Sequence, residues 1–449
     1  MMKEQDDKET NQQPISRKEF VKASSLAAGG LMIGGLPLGS RAQPVGAATL
    51  KVALIGCGGR GTGAARQALS TGDGVRLVAM ADAFRNRLDE SYDTLTKVFA
   101  EEGSEKINVP EEHKFVGFEA YKEAISLADV VILATPPGFR PYHFEEAIDA
   151  GAHVFMEKPL ATDAPGVRKV LETGKKADQK GLNVVVGLQR HYQNSYRETI
   201  QRIRDGQVGD IVSGQVYWNS AGVWVHPREP DQNEMEFQMR NWYYFVWLCG
   251  DHIMEQHIHN IDVANWFIGE YPASAQGMGG RQVRTGRNHG QIFDHHFVEF
   301  TYPSGAVIAS QCRHQPGTMN RVSESFQTTQ GTIHTSGNTA TLKNQDGKTL
   351  YDHDGQGDTN PYQQEHNELF AAIRNGEQIN NTEYGAKSTM TALMGRMATY
   401  SGEVISWEEA LNADKSVMPD EYGWEATPPV VPNDDGQYPV PVPGQTEVL

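Results

Sequence analysis

The string Gly56-Cys57-Gly58-Gly59-Arg60-Gly61 follows directly on the apolar run Lys51-Val52-Ala53-Leu54-Ile55. Glycines at the first, third and sixth places of such a string have separate uses. Gly56 makes a tight turn, Gly58 lets a phosphate group approach the backbone, and Gly61 allows a helix to pack closely on its strand. The amides that open the helix then face the phosphates. The next strand-like run ends in Met80-Ala81-Asp82, and Asp82 stands 21 residues past Gly61, where a carboxylate reaches a ribose hydroxyl. In a chain with 46 Gly the spacing alone decides little. Spacing, preceding strand and following acid together predict a dinucleotide site. Asp82 favours NAD, because a 2′-phosphate would meet its charge, while Arg85 and Arg87 leave NADP open.

Loops of this kind need a parallel sheet behind them. Strands are expected at Lys51–Ile55, Arg76–Ala81, Asp129–Ala134, His153–Met156 and Asn183–Gly187, with a weaker one at Lys114–Val116. Helix-length patterns at Arg60–Thr71, Pro141–Ala150 and Ala164–Lys180 separate them. Val130-Val131-Ile132-Leu133 is apolar on both faces, as in a parallel strand covered by helices on two sides. Past Ser195 the pattern changes. A helix through Arg204, a strand at Ile211–Trp218, an irregular aromatic stretch and a helix near Ile253–Phe267 precede a strand pair, His296–Tyr302 and Ala306–Gln311, joined at Pro303-Ser304-Gly305. Strands at Glu324–Thr329 and Thr332–Thr335 and helices at Tyr362–Asn375 and Tyr384–Tyr400 complete it. The fold class is therefore α/β: an N-terminal Rossmann domain with a parallel sheet, then a C-terminal α+β domain with an open, mainly antiparallel sheet.

Ala134-Thr135-Pro136-Pro137, then His143, then Met156-Glu157-Lys158-Pro159-Leu160 occur in an order and spacing that resemble the glucose-fructose oxidoreductase, inositol dehydrogenase and MocA (Gfo/Idh/MocA) family. The resemblance covers roughly residues 51–410. It implies that Thr135, Pro136, Glu157 and Lys158 belong to the cofactor site, and that Lys158 also reaches the reacting hydroxyl. It further implies an acid and a histidine four apart on a helix, which fall on Glu255 and His259, with Glu where the family usually has Asp. The chemistry is coherent without the family. Hydride can leave a C–H only if the hydroxyl proton leaves too, so a base is required. His259 can accept that proton, Lys158 can stabilise the alkoxide, and Glu255 can orient either. On one helix, positions 255, 259 and 262 share a face while His257 points elsewhere. His252 and His257 read as core or surface histidines. His252, Glu255 and His259 could converge on a metal, but the catalytic reading competes for the same residues and no metal is expected.

Five of the seven Trp lie between residues 218 and 266. Trp218, in a strand, and Trp266, at apolar helical spacing, read as packing. Trp224 and Trp242, in the irregular stretch, are candidates to face a sugar's C–H surface. Arg190 and Tyr192, just past the last Rossmann strand, are expected to line the same cleft.

At 449 residues the chain exceeds what one core serves. The expected divisions are 1–50, an export signal and linker; 51–190, the Rossmann domain; 191–412, a substrate and oligomerisation domain; and 413–449, a Pro-rich arm, extended or disordered, with Pro at 419, 428, 429, 432, 439, 441 and 443. Ser16-Arg17-Lys18-Glu19-Phe20-Val21-Lys22 precedes a small-residue apolar run to Leu38 and resembles a twin-arginine (Tat) signal with Lys18 at the second arginine, so a periplasmic or otherwise exported protein is expected. A net charge of -17 disfavours nucleic acid and anionic membranes, and three scattered Cys supply neither a disulfide framework nor a zinc site. The partners expected are a small carbohydrate and further copies of the chain, with no membrane span in the mature protein. The function expected is hydride transfer between a tightly bound nicotinamide and a secondary hydroxyl of a sugar, glycoside or polyol. Two alternatives stay open: a redox-neutral glycoside hydrolase or lyase that oxidises its sugar transiently, and a non-catalytic cofactor-bound sensor or scaffold.

Overall fold

The computed structural model describes residues 48–103 and 105–449. The signal expected at the N-terminus, with its arginine and apolar run, lies outside the described residues.

Strands β1 (Leu50–Ile55), β2 (Val75–Asp82), β3 (Lys114–Val116), β4 (Val130–Leu133), β5 (His153–Met156) and β6 (Val184–Val186) form one parallel sheet in the order β3-β2-β1-β4-β5-β6. This is the dinucleotide-binding order. Every residue of β4, β5 and β6 is buried, as an apolar run covered on both faces requires. Because β2, β1, β4 and β5 are parallel neighbours, the segments that leave their carboxyl ends emerge along one edge. Those segments carry Asp82, the glycine string, Thr135-Pro136 and Glu157-Lys158. The helix Ala164–Lys180 begins at Asp163, whose Oδ1 accepts the Gly166 N–H at 2.8 Å, and ends at Gly181.

The second sheet joins β7 (Ile211–Ser220), β8 (Ser274–Gly280), β9 (His295–Thr301), β10 (Val307–His314), β11 (Arg321–Thr328), β12 (Gly331–Ser336), β13 (Thr339–Asn344), β14 (Thr349–His353) and β15 (Ile405–Ser406). Their order is β14-β13-β12-β11-β7-β10-β9-β8-β15. Among the described strands of this sheet only the β7–β10 pair is parallel, so the expected open, mainly antiparallel sheet is what forms.

The helix expected near Ile253–Phe267 is instead two, His252–Glu255 and Ile258–Ile268. Both Gln256 N–H (3.0 Å) and His257 N–H (3.2 Å) donate to the His252 carbonyl, so one turn widens by a residue before the next tightens, with His259 N–H on the Gln256 carbonyl at 3.3 Å. Such widened turns recur at functional sites. The irregular aromatic stretch holds a helix at Glu234–Arg240 and two single turns, Trp242–Tyr244 and Val246–Cys249. The Pro-rich arm has neither helix nor strand, yet it packs. Trp424 lies 5.1 Å from Phe84 and 4.8 Å from Phe118 between ring centres, and the buried Tyr438 meets Phe245 edge-on at 5.0 Å.

Candidate active site

A cavity of about 700 Å³ opens where the carboxyl edge of the parallel sheet meets the second domain. Gly56, Gly58 and Gly61 line it, and each meets the need its place imposes. Gly56 has φ +92°, and a Cβ there would stand 2.6 Å from the Thr135 nitrogen. A Cβ on Gly61 would lie 1.9 Å from the Gly56 carbonyl oxygen, so only glycine lets the helix Gly59–Leu69 sit this close. A Cβ on Gly58 would meet no atom within 4 Å, because this stretch of backbone faces the open cavity.

Asp82 is tied to the loop: its Oδ2 accepts the Cys57 N–H at 2.7 Å and its Oδ1 the Phe84 N–H at 2.9 Å. Burial pushes its carboxyl above the ordinary value, against the pull of those two amides. Arg87 lines the same end of the cavity, whereas Arg85 turns away to Asp89 and Glu111. Thr135 and Pro136 line the floor, and the Thr135 hydroxyl lies 3.2 Å from Nδ1 of the buried His143, which burial holds down at about 3. Beneath them Arg140, wholly buried, donates to the carbonyls of Thr135 and Pro159 and so ties the two loops together. Glu157 is paired with Arg60, which also reaches Glu365 at 2.9 Å.

Lys158 donates from Nζ to Glu255 Oε1 at 2.9 Å and to the Glu255 carbonyl, with both side chains largely buried. His259 lines the same cavity and lies 5.8 Å from Trp218 between ring centres. Burial first, then the charges of Lys158, Arg190 and Arg60, hold its pKa well below the ordinary value, so the ring is neutral and able to accept a proton. The widened turn leaves Glu255, Gln256 and His259 all on the cavity wall.

Asp262 does not share that wall: it accepts from Ser388 and pairs with His191 Nε2, each at 2.8 Å. His257 is buried on Ser310 Oγ (2.8 Å) and His252 on Asp251 Oδ1 (2.8 Å), both as core histidines. The trio His252, Glu255 and His259 is not brought together as ligands. The grouping that does form is Asp251, His252 and His296, entirely buried.

Trp224 and Trp242 both line the cavity, 5.7 Å apart and edge-on. Trp218, read from sequence as packing, lines it too. Trp266, half-buried, stacks on His191 at 4.0 Å and does not line the cavity. Arg190 and Tyr192, expected in the cleft, are elsewhere. Arg190 is buried against Glu324, which also takes bonds from Asn260, Tyr196 and Thr335, and the Tyr192 hydroxyl donates to Asn381 at 2.6 Å. The chain turns into the single helical turn Gln189–Tyr192 shortly after β6, and both side chains are buried there. Sequence reasoning missed Arg60, although it stands inside the glycine string, and it missed Arg140, which bonds the Thr135 and Pro159 carbonyls, and Gln256, whose partner His314 comes from a distant strand.

A model of an oxidoreductase family with an NAD-binding Rossmann fold matches residues 50–188, and one of the GFO/IDH/MocA C-terminal domain matches residues 196–334. An inositol 2-dehydrogenase of Burkholderia cenocepacia is 30% identical over 264 residues, 58% of this chain and 66% of that protein. A glycosyl hydrolase family 109 protein of Shewanella pealeana is 24% identical over 246 residues, 51% of this chain and 50% of that one. The match therefore spans only half to two thirds of those relatives' own length. Among solved structures, an aldose-aldose oxidoreductase from Caulobacter crescentus superposes with a TM-score of 0.63 at 18% identity, over 80% of this chain and 99% of that one, a likeness of fold. With both of the family's domain models matched in order, and with the glycine loop, Lys158 and His259 on one cavity, the chain belongs to the Gfo/Idh/MocA family.

Proposed function

We propose that the chain is an NAD-dependent oxidoreductase acting on a secondary hydroxyl of a sugar, glycoside or polyol. The observation that carries this reading is the meeting of Lys158, Glu255 and His259 on the cavity that the glycine loop also lines. The dinucleotide fits by a structural test: at Gly58 the backbone opens onto free space, beside a carboxylate, Asp82, at the end of β2. Gly56, Gly58, Gly61, Asp82, Thr135, Pro136, Glu157 and Lys158 would hold it. When bound, NAD supplies the acceptor for the hydride. Neutral His259 takes the hydroxyl proton, the Lys158 ammonium stabilises the oxygen as charge develops on it, and Glu255 fixes the Lys158 headgroup at 2.9 Å. Trp224, Trp242 and Trp218 offer ring faces to the C–H surface of the substrate. The acidic Asp82 supports NAD over NADP, with Arg87 as the residue through which NADP would be tolerated.

A second reading, transient oxidation followed by elimination or hydrolysis and return of the hydride, is favoured by the likeness to the glycosyl hydrolase family 109 protein. Export, which we also propose from the Tat-like string, adds to its appeal, since a cofactor outside the cytoplasm must be regenerated in place. Incubating purified protein with polyols and glycosides, while following nicotinamide absorbance and released sugar, tests both readings. Net reduction of the nicotinamide marks ordinary dehydrogenation. Many turnovers with no net change mark the closed cycle. No response to any sugar refutes both.

A further inference from the structure

Gln256 stands between Glu255 and the family's histidine position on the widened turn, and its side chain lines the cavity. Behind it, His314, the last residue of β10, lies with Nε2 2.7 Å from Gln256 Oε1, and the His314 Nδ1 is hydrogen-bonded to the guanidinium of Arg284. Arg284 is buried and also donates to the Phe293 carbonyl at 2.8 Å. These contacts leave one assignment of protons. A guanidinium only donates, so His314 Nδ1 must accept. A neutral imidazole that accepts at Nδ1 carries its proton at Nε2. That proton is donated to Gln256, so the atom facing His314 is the amide oxygen and the NH₂ is directed away from it. Burial, with His252 and Arg284 beside it, keeps His314 neutral well below the ordinary histidine range. Rings on either side fix its plane, His252 at 4.6 Å and Tyr243 at 6.0 Å between centres. The Gln256 amide nitrogen has no protein partner among the described residues.

We propose that Gln256 is a specificity-determining residue whose amide N–H groups donate to an acceptor oxygen of the substrate beside the reacting hydroxyl, with Arg284 and His314 as positioning residues that set the direction of the amide. The inference rests on the function proposed above, and it adds that the sugar or polyol must present a hydroxyl, ether or carbonyl oxygen to this wall. A substrate lacking that oxygen leaves the amide without an acceptor in the cavity.

Gln256→Glu isolates the point. The carboxylate still accepts from His314 Nε2–H, so the bond behind it survives, but nothing is left to donate into the cavity. Gln256→Met, which removes both, is the second variant should the first fold poorly. Wild type and variants, all loaded with NAD, are assayed on myo-inositol, D-glucose and methyl β-D-glucopyranoside. On whichever compound wild type converts, KM should rise about tenfold, the scale of one neutral hydrogen bond, with kcat changed less and NAD affinity unchanged. A neutron structure of the wild-type protein should show hydrogen on His314 Nε2, none on Nδ1, and the Gln256 NH₂ toward the cavity. An unchanged KM in both variants, or hydrogen on Nδ1, overturns the inference and leaves the proposed function standing. A wild type inert on these compounds and on the wider set of polyols and glycosides removes the function, and this inference with it.

Discussion

Gly58 and Gly61 are three residues apart in one string, yet the structure separates what an added methyl group does at each. At Gly58 the backbone has φ -70° and ψ -179°, open to any L-residue, and a Cβ meets no atom within 4 Å. Gly58→Ala should therefore leave thermal stability unchanged. The methyl group would occupy the space through which the pyrophosphate must reach the backbone. A hydrogen bond to a charged group contributes about 1.5–3 kcal/mol, so losing one should weaken NAD binding about ten- to a hundredfold. At Gly61 the Cβ would sit 1.9 Å from the Gly56 carbonyl oxygen, which is backbone and cannot rotate away. Gly61→Ala should cost about 1–3 kcal/mol of stability, the usual range for overpacking, and should also distort the loop and weaken NAD. Calorimetry of the apoproteins together with titration of NAD measures both quantities. A Gly58→Ala protein that binds NAD as wild type does, or a Gly61→Ala protein as stable as wild type, refutes the assignment of these glycines.

Acid should destabilise the protein early. Burial lowers His143 to about 3, His252 to about 4 and His257 to about 3, from 6.5. Each is neutral in the fold and takes up its proton more readily when unfolded, so stability is complete above about pH 6.5 and falls as pH drops toward 4, by about 1.4 kcal/mol per pH unit for each. Denaturant midpoints measured between pH 7 and 4.5 should decline steeply, and a flat profile contradicts the burial of these rings. Trp424→Ala should remove the support that the C-terminal arm gives to Phe84 and Phe118, both on the cavity wall, and speed NAD release several-fold in stopped-flow chase. Release at the wild-type rate would mean the arm only covers the surface. A reporter fused to residues 1–50 should leave the cytoplasm, and Arg17→Lys should stop it; export in cells lacking the Tat translocase would exclude that route.

The parallel sheet was legible because its central strands are short apolar runs between helical patterns, and burial on both faces leaves that signature in consecutive residues, whereas the half-exposed β3 gave only a weaker signal. β8 and the outer strands β13 and β14 were not. Ser274–Gly280 has three glycines and no apolar run, and Thr349–His353 is an edge strand largely open to solvent. Of the site, the glycines and Asp82 were readable from their spacing behind short strands, whereas Thr135, Pro136, Glu157 and Lys158 were reached through the family resemblance that their motifs carry. Arg190 and Tyr192 follow a strand in the same way, but the turn after β6 folds them inward, which no local pattern announces. The widened turn at Gln256 was hidden too. Its neighbour His257 bonds Ser310, 53 residues away in sequence, a partner that no local pattern announces. The arm's order comes from Trp424 and Tyr438 finding aromatic partners, and proline content alone reports only the lack of helix and strand.

The central claim is that Lys158 and His259 work on one hydroxyl while the carbon beneath it gives up its hydride. Rapid mixing of NAD-loaded protein with a converted polyol or glycoside, followed by nicotinamide absorbance through the first turnover, tests it most directly. Wild type should show reduced nicotinamide appearing in that turnover, whether it persists or decays. His259→Ala, with NAD still bound, should show it about a hundredfold more slowly or slower still, the scale of a lost general base. Equal rates in the two proteins, or conversion by wild type with no reduced nicotinamide at any time, would contradict the account.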